Sequence, residues 1–199
     1  VKLKARRPYK DYISWLIKQD QDRAKKYWEE NLLGATPTRL NDKQVLGNDE
    51  YGEHVITLSI EETSQLNKYA KSLGVTTNTV LQGIWSILLS KYTRQEDVVF
   101  GVTVSGRNIN LPGVEDMVGI FINTLPIRIQ FKPNETIKDL LKRLQVQMSE
   151  AQEYGYIPLS TIQSLQKERN LFDNIYVFEN YPVSKQLLHD ESNAGLSIK

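Results

Sequence analysis

VVFGVTVSGRNINLPGVEDMVGIFINTLPIR, residues 98–128, is the stretch that decides the fold of this 199-residue chain. Two β-rich runs, Val98–Val104 and Gly119–Phe131, flank a loop punctuated by glycine and proline, which predicts two strands joined by a long connection. The connection has no helical period, and a loop of about a dozen residues without structure of its own is usually functional or disordered. The stretch therefore predicts a sheet and makes the loop a first candidate for a functional segment.

The second of these runs carries polar residues that a central strand seldom contains. Asn123 and Thr124 interrupt an otherwise apolar sequence, and Pro126 and Arg128 follow closely. Asn123 and Thr124 have a structural interpretation, in which their side chains satisfy backbone groups where Pro126 breaks the ladder. A direct role at a binding site is the alternative, and the sequence leaves both interpretations open.

Hydrophobic periodicity and end signals predict helices on both sides of this stretch, and two further strands. The predicted helices are a short one between Pro8 and Gln19, Asp20–Leu33, one through Leu73 that opens on the capping box Ser59–Glu62, Thr79–Tyr92, Thr136–Tyr154 and Pro158–Leu165. The additional strands are Tyr51–Ile60 and a buried strand, Asn174–Phe178. This order predicts an α/β fold, a layered sheet with helices packed against it.

The helix Thr79–Tyr92 is the most apolar of those predicted. Its apolar residues cover nearly the whole circumference, which predicts burial on most sides. Trp85 lies within it and is expected to be a core residue. The neighbouring helix ending at Leu73 is expected to turn Tyr69 inward, and the helix starting at Thr136 to turn Ile137 inward.

Composition limits the classes of function that the chain can have. Its net charge is +1, and its lysines and arginines are dispersed except in the segment Lys2–Lys10, which argues against a nucleic-acid binder. The sequence contains no cysteine, no apolar run long enough to span a membrane and no signal peptide at its start. These features predict a cytoplasmic protein with no membrane and no nucleic acid among its partners.

The two histidines of the chain are weak candidates for catalysis. His54 lies at an alternating position of the predicted strand, where a partly buried or edge histidine is expected, and His189 lies in a polar tail. Neither has sequence neighbours that form a base and an orienting partner. The spacings typical of zinc, calcium, P-loop and hydrolase sites are also absent from the sequence.

Several segments resemble the condensation domains of nonribosomal peptide synthetases. Ser105-Gly106-Arg107 and the run from Pro112 to Arg128 are similar to that family, whose motif G-x-F-x-N-T-x-x-x-R falls within the run. Tyr9–Trp15 matches Y-x-D-Y-x-x-W, Tyr27-Trp28 matches the family's Y-W, and Phe178–Pro182 matches F-E-N-Y-P. The resemblance covers nearly the whole chain in the family's order.

The resemblance implies the chloramphenicol-acetyltransferase-like fold, in which two lobes form a V with the active site at the hinge. It also implies an activity: an acceptor amine attacks a donor thioester, and a peptide bond forms between two carrier-bound units. No cofactor is expected to bind directly, because the phosphopantetheine arms belong to partner carrier domains. The implied partners are the N-terminal lobe of the same domain, peptidyl carrier domains and a downstream adenylation domain.

The same resemblance ranks the site residues. Arg107 follows a strand and a flexible Ser105-Gly106, where it could pair with an aspartate of the other lobe; a solvated loop arginine is the alternative. Arg128 is the competing candidate, with an exposed role expected from its place at a strand exit. The substrate-channel or lobe-interface candidates are Ser105, Arg107, Asn123, Thr124, Arg128, Asn180 and Tyr181.

The departures from the family pattern shape the functional prediction. The H-H-x-x-x-D-G motif, which carries the histidine credited with catalysis, does not occur in the sequence, so no catalytic residue is assigned. We therefore expect residues 1–199 to be a C-terminal lobe cut at both ends, inactive alone, that supplies half of the substrate channel and part of the carrier docking surface. The alternatives are an empty docking or scaffold module, or an epimerization domain, although Phe121–Pro126 favours condensation over epimerization.

Overall fold

The computed structural model describes residues 6–40, 52–168 and 170–179. The helices are α1 (Lys10–Ile17), α2 (Gln21–Leu32), α3 (Ile60–Leu73), α4 (Thr77–Thr93), α5 (Ile137–Glu153) and α6 (Leu159–Ser164). The strands are β1 (Asp97–Val104), β2 (Asn123–Gln130) and β3 (Ile175–Tyr176), and a short 3₁₀ turn spans Val114–Asp116. This is the α/β pattern predicted from the sequence.

The three strands form one sheet in the order β2-β1-β3. β1 and β2 are antiparallel, with Val104 opposite Asn123 at one end and Asp97 opposite Gln130 at the other. β3 runs parallel to β1 and pairs through Ile175 and Tyr176. Because β1 and β2 are antiparallel neighbours, the end of β1 and the start of β2 lie at the same end of the sheet.

The beginnings of the helices follow the local signals in the sequence. Asp20, Ser59, Thr76 and Thr136 each accept a hydrogen bond from a backbone N–H of the first turn that follows, and Ser59 forms the complete capping box with Glu62. These bonds satisfy donors that a helix leaves unpaired at its start. The predicted helices are thereby confirmed, with bounds within about two residues of those expected.

The core lies between the sheet and the helices packed on it. Trp28 of α2 is 1% exposed, and its Nε1 donates a hydrogen bond of 3.0 Å to the Tyr154 carbonyl. α4 contacts β1, α5 contacts β2, and α4 also contacts α5. Gly83 permits this last approach, because a Cβ at that position would overlap the Leu141 side chain.

The predicted strand Tyr51–Ile60 is wrong. Residues 52–59 have no regular secondary structure and are exposed throughout, including His54. Alternation of apolar and polar residues marks a strand only where another strand pairs with it, and no strand of the described chain does so here. The expectation of a partly buried His54 fails for the same reason.

The composition of α4 predicted burial on most sides, and this prediction is wrong. Ile84 and Leu88 are each 54% exposed and Tyr92 is 68% exposed, while Gln82 and Ser86 are fully buried. The helix therefore turns small and polar side chains toward α5 and the sheet. Three other expectations of burial are also wrong: Tyr69 of α3, Ile137 at the start of α5 and Ile175 of β3 are exposed, the last because β3 is an edge strand.

The second predicted strand begins later than expected. Gly119–Phe131 was predicted, whereas β2 starts at Asn123. Its opening residues have no opposing partner, since β1 already ends at Val104 opposite Asn123. Ile120 and Ile122 are exposed, and Phe121 between them is buried. The segment before Asn123 is therefore a wall beside the sheet and is no part of it.

Candidate functional site

A cleft of about 600 Å³ opens at the end of the sheet where β1 ends and β2 begins. Tyr12 and Trp15 of α1 line one side, and Gln152 near the end of α5 lines another. Val104 and Asn123, the last residue of β1 and the first of β2, contribute the strand ends. The connection between β1 and β2 that the sequence singled out therefore borders this cleft.

Aromatic packing builds the wall on the α1 side. The rings of Tyr9 and Tyr12 lie 5.2 Å and 4.6 Å from the ring of Phe121, measured between centroids. Trp15 meets Tyr156 edge-to-face at 6.2 Å. The Tyr9 hydroxyl also donates a hydrogen bond to the Ile120 carbonyl. These contacts hold α1 against the segment before β2, although Tyr9 and Trp15 are only partly buried.

The cleft carries little charge. Burial raises the pKa of the Tyr12 phenol, and the nearby Tyr9 adds to that effect. Burial also raises the pKa of Tyr156, and the nearby Asp20 carboxylate raises it further. Both phenols stay protonated near neutral pH, and among the described residues that line the cleft only Glu153 is charged. The cleft is therefore suited to an uncharged, polar ligand.

Asn123 is held by a complete set of hydrogen bonds. Its Nδ2 donates to the carbonyls of Gly155 (2.9 Å) and Ile157 (2.8 Å), and its Oδ1 accepts from the Thr124 amide (2.9 Å). These bonds fix the turn after α5 to the start of β2, as the structural interpretation of Asn123 requires. Thr124 does not line the cleft; its methyl group lies near Gly101 on the neighbouring strand.

Arg107 is packed against protein rather than surrounded by water. Its guanidinium lies 4.1 Å from the centre of the Phe121 ring, and Nη1 donates to the Val114 carbonyl at 2.5 Å. Its half-buried side chain contacts no carboxylate in residues 6–40, 52–168 and 170–179. The solvated alternative is therefore wrong, and the pairing with another lobe stays a prediction.

Ser105 and Gly106 shape the turn that carries Arg107. Ser105 is exposed and lines the cleft, and its Oγ accepts a long hydrogen bond of 3.4 Å from the Arg107 amide. Gly106 has φ of +66°, and a Cβ there would overlap the Phe121 carbonyl. Glycine is therefore required where this turn approaches the wall of the cleft.

Arg128 has a place and a role different from those predicted. Its Nε and Nη2 bind Asp97 at 2.9 Å and 2.6 Å, and Nη1 donates to the carbonyls of Asn31 and Leu33. Its side chain is 10% exposed, so the expected exposed role is wrong. It lies five residues along β2 from Asn123, roughly 17 Å from the cleft end of the sheet.

Two other candidates, Asn180 and Tyr181, lie outside the described residues, as does His189.

The family model described as Condensation domain matches residues 1–199. The chain belongs to the condensation-domain family. Its curated relatives include bacitracin synthase 3 of Bacillus licheniformis, 42% identical over 92% of this chain and 3% of that protein. Surfactin synthase subunit 3 of Bacillus subtilis (strain 168) is 40% identical over 96% of this chain and 15% of that protein. The chain thus spans a small part of these synthetases.

Solved condensation-domain structures share the fold. The crystal structure of holo T3CT matches with a TM-score of 0.70 at 24% identity, over 92% of this chain and 41% of that chain. The first condensation domain of the CDA synthetase matches with a TM-score of 0.67 at 19% identity, over 84% and 37%. The predicted family and its chloramphenicol-acetyltransferase-like fold are confirmed.

Two residues of this condensation-family cleft escaped the sequence analysis. Asn78 in the first turn of α4 and Gln152 near the end of α5 both line it. The available signal for Asn78 was a carboxamide directly before the predicted apolar helix Thr79–Tyr92, one turn before the buried Gln82. Within the described ranges, no helix has the length and apolarity needed to cross a membrane. No group of three or more metal-binding side chains occurs in those ranges either.

Proposed function

We propose that the chain is the C-terminal lobe of a nonribosomal peptide synthetase condensation domain, and that its cleft is one half of the channel in which two carrier-bound substrates meet. The observation that carries this proposal is the weakly charged, amide-lined cleft where β1 ends and β2 begins, bordered by the family residues Ser105 and Asn123. Relatives that are bacitracin, gramicidin and surfactin synthase subunits support it.

The reaction we propose is attack of an acceptor amine on a donor thioester, which forms the peptide bond and releases the donor carrier's thiol. The chain contributes positioning, because a bound geometry that brings the two reactants together removes much of the entropic barrier. The histidine that would act on the attacking amine belongs to the N-terminal lobe in this proposal, since the H-H-x-x-x-D-G motif does not occur in this sequence.

The proposed partners are the N-terminal lobe, the peptidyl carrier domains that present their phosphopantetheine arms, and an adenylation domain downstream. Arg107 is the residue we assign to contact between the lobes. Phe121 and the Val114 carbonyl hold its guanidinium in place, while the other nitrogens are available for a carboxylate. An aspartate of the other lobe is the carboxylate we propose.

Filling the cleft tests the proposed function. Gln152→Trp places an indole in the cleft and should lower the rate of peptide formation by the parent condensation domain about tenfold or more, because a displaced substrate loses its reactive geometry. Ser149→Trp is the matched control, since Ser149 lies on the same helix, is exposed and does not line the cleft. Product formation from loaded carriers is the measurement.

Both tryptophan variants should melt within a few degrees of the parent, which separates a blocked cleft from an unfolded lobe. Normal peptide formation by Gln152→Trp would show that no substrate passes through the cleft. The scaffold alternative would be favoured only if the parent domain itself formed no peptide.

A further inference from the structure

Asn78 presents an amide to the cleft that the rest of the lobe holds in one orientation. It lies in the first turn of α4, is half-buried and lines the cleft. Its Oδ1 accepts hydrogen bonds from Gln82 Nε2 at 3.1 Å and from the Tyr176 hydroxyl at 3.0 Å. With both donors on the oxygen, Nδ2 is left as the free end of the amide, and no partner for it occurs in residues 6–40, 52–168 and 170–179.

The two residues that hold Asn78 are themselves fixed. Gln82 is 0% exposed, one helical turn further into the core, and its Oε1 has no hydrogen-bond partner among the described residues. Burial raises the pKa of Tyr176 to about 12, so its hydroxyl keeps its proton and can donate. A buried glutamine with one unpaired group is costly unless it serves a purpose. The role that we assign to Gln82 is to hold the Asn78 amide toward the cleft.

The composition of the cleft indicates what that amide binds. Six carboxamide side chains line the cleft: Gln19, Asn78, Asn108, Asn110, Asn123 and Gln152. Three of them donate within the lobe: Gln19 to Trp15, Asn108 to Gln152, and Asn123 to the turn after α5. The cleft lining carries no cationic side chain among the described residues, which disfavours an anionic ligand.

We propose that Asn78 is a substrate-binding residue whose Nδ2 donates a hydrogen bond to an amide carbonyl of the carrier-bound chain in the cleft. This inference rests on the proposed function. An amide carbonyl occurs both in the pantetheine arm and in a peptidyl substrate, and the chemistry is the same for both. Gln82 and Tyr176 act as positioning residues, because they touch Asn78 and do not need to touch the substrate.

One isosteric substitution distinguishes a substrate-binding role of Asn78 from a purely structural role. Asn78→Asp keeps an oxygen that can accept from Gln82 and Tyr176, but it replaces the free N–H donors with a second acceptor that repels a carbonyl. In the parent condensation domain we expect the KM for the carrier-bound substrate to rise about tenfold, with kcat within about twofold and an unchanged melting temperature. Asn67→Asp is the matched control, because Asn67 is exposed, lies outside the cleft and also accepts through Oδ1, from Thr77.

A second variant covers the case in which Asn78→Asp does not fold. Tyr176→Phe removes one of the two bonds that orient Asn78 and should raise KM about threefold, again with little change in kcat. A parent-like KM in whichever of these variants is folded would overturn the inference.

The source of the carbonyl is found by repeating the assay with the same peptidyl group as a simple ethanethiol thioester, which contains neither amide carbonyl of the pantetheine arm. A rise in KM with the carrier substrate alone assigns the contact to the arm, and a rise with both assigns it to the acyl chain; either supports the inference. No rise with either substrate overturns it. If Gln152→Trp stops peptide formation while Asn78→Asp behaves like the parent, the proposed function stands and this inference alone fails. If Gln152→Trp has no effect, both fail.

Discussion

Arg128→Ala is expected to lower the free energy of unfolding by about 3 kcal/mol, the lower end of the range for breaking a buried ion pair. The guanidinium binds Asp97 through two nitrogens and donates to the Leu33 carbonyl at 2.8 Å, so it joins β1 and β2 to the end of α2. Its removal leaves the Asp97 carboxylate, 26% exposed, without its cation. Urea denaturation of the isolated chain, followed by circular dichroism, is the measurement.

Two further variants show whether the loss of stability in Arg128→Ala comes from the ion pair. Arg128→Lys keeps the charge but loses the two-nitrogen contact, so it should fall between the parent and Arg128→Ala. Lys26→Ala is the control, because its pair with Glu30 is exposed and pairs of that kind contribute about 0–1 kcal/mol. If Arg128→Ala and Lys26→Ala destabilise the chain equally, Arg128 does not join the sheet to α2.

Trp28→Ala is expected to cost about 3–5 kcal/mol of stability, the usual range for replacing a buried aromatic residue with alanine. Trp28 is 1% exposed, packs edge-to-face on Tyr27 at 5.1 Å and donates to the Tyr154 carbonyl. The variant loses this packing and leaves the carbonyl without its donor. The shift in the urea midpoint, at an unchanged denaturant slope, measures the loss.

Trp85→Ala is the comparison for Trp28. The apolar pattern of α4 predicts Trp85 as a core residue, whereas the structure shows it only partly buried, with its Nε1 donating to Asn174 Oδ1 at 3.2 Å. Its loss should therefore cost less than that of Trp28. The reverse order of the two midpoints would place the centre of the core on α4 instead of α2.

Local signals in the sequence were enough to predict most of the elements. Ser59 and Thr136 begin their helices as expected because a capping side chain acts on the backbone within three residues. β1 was predictable because it is the central strand and its residues are apolar on both faces. Such elements depend little on distant parts of the chain.

Features that depend on distant partners were not predictable in the same way. The alternation in Tyr51–Ile60 is that of a strand, but a strand also needs a neighbour, and the sequence does not show whether one exists. Arg128 looked like an exposed residue at a strand exit, yet its partners are Asp97, 31 residues away, and the end of α2. A single sequence does not reveal such pairings.

The candidate site was predictable in its location more than in its chemistry. Ser105 and Asn123 were identified by their motifs and lie at the cleft, whereas Thr124 and Arg128 of the same motif point elsewhere. Alternate residues of a strand face opposite sides of the sheet, so a continuous motif does not form a continuous site. Asn78 was missed because the segments that hold it, α4 and β3, are far apart in the sequence.

Capture of a carrier's pantetheine thiol by a cysteine placed in the cleft is the most direct test of the proposal that the cleft is a substrate channel. Residues 1–199 contain no cysteine, so Gln152→Cys introduces the only thiol within those residues, and Ser149→Cys introduces a thiol on the same helix outside the cleft. Each variant of the parent domain is mixed with a holo-carrier activated as a mixed disulfide, and the cross-linked species is quantified by mass spectrometry, with the unsubstituted parent as the blank. The account predicts rapid cross-linking of Gln152→Cys and only background for Ser149→Cys. Equal capture of both variants, or capture of Ser149→Cys alone, would contradict it.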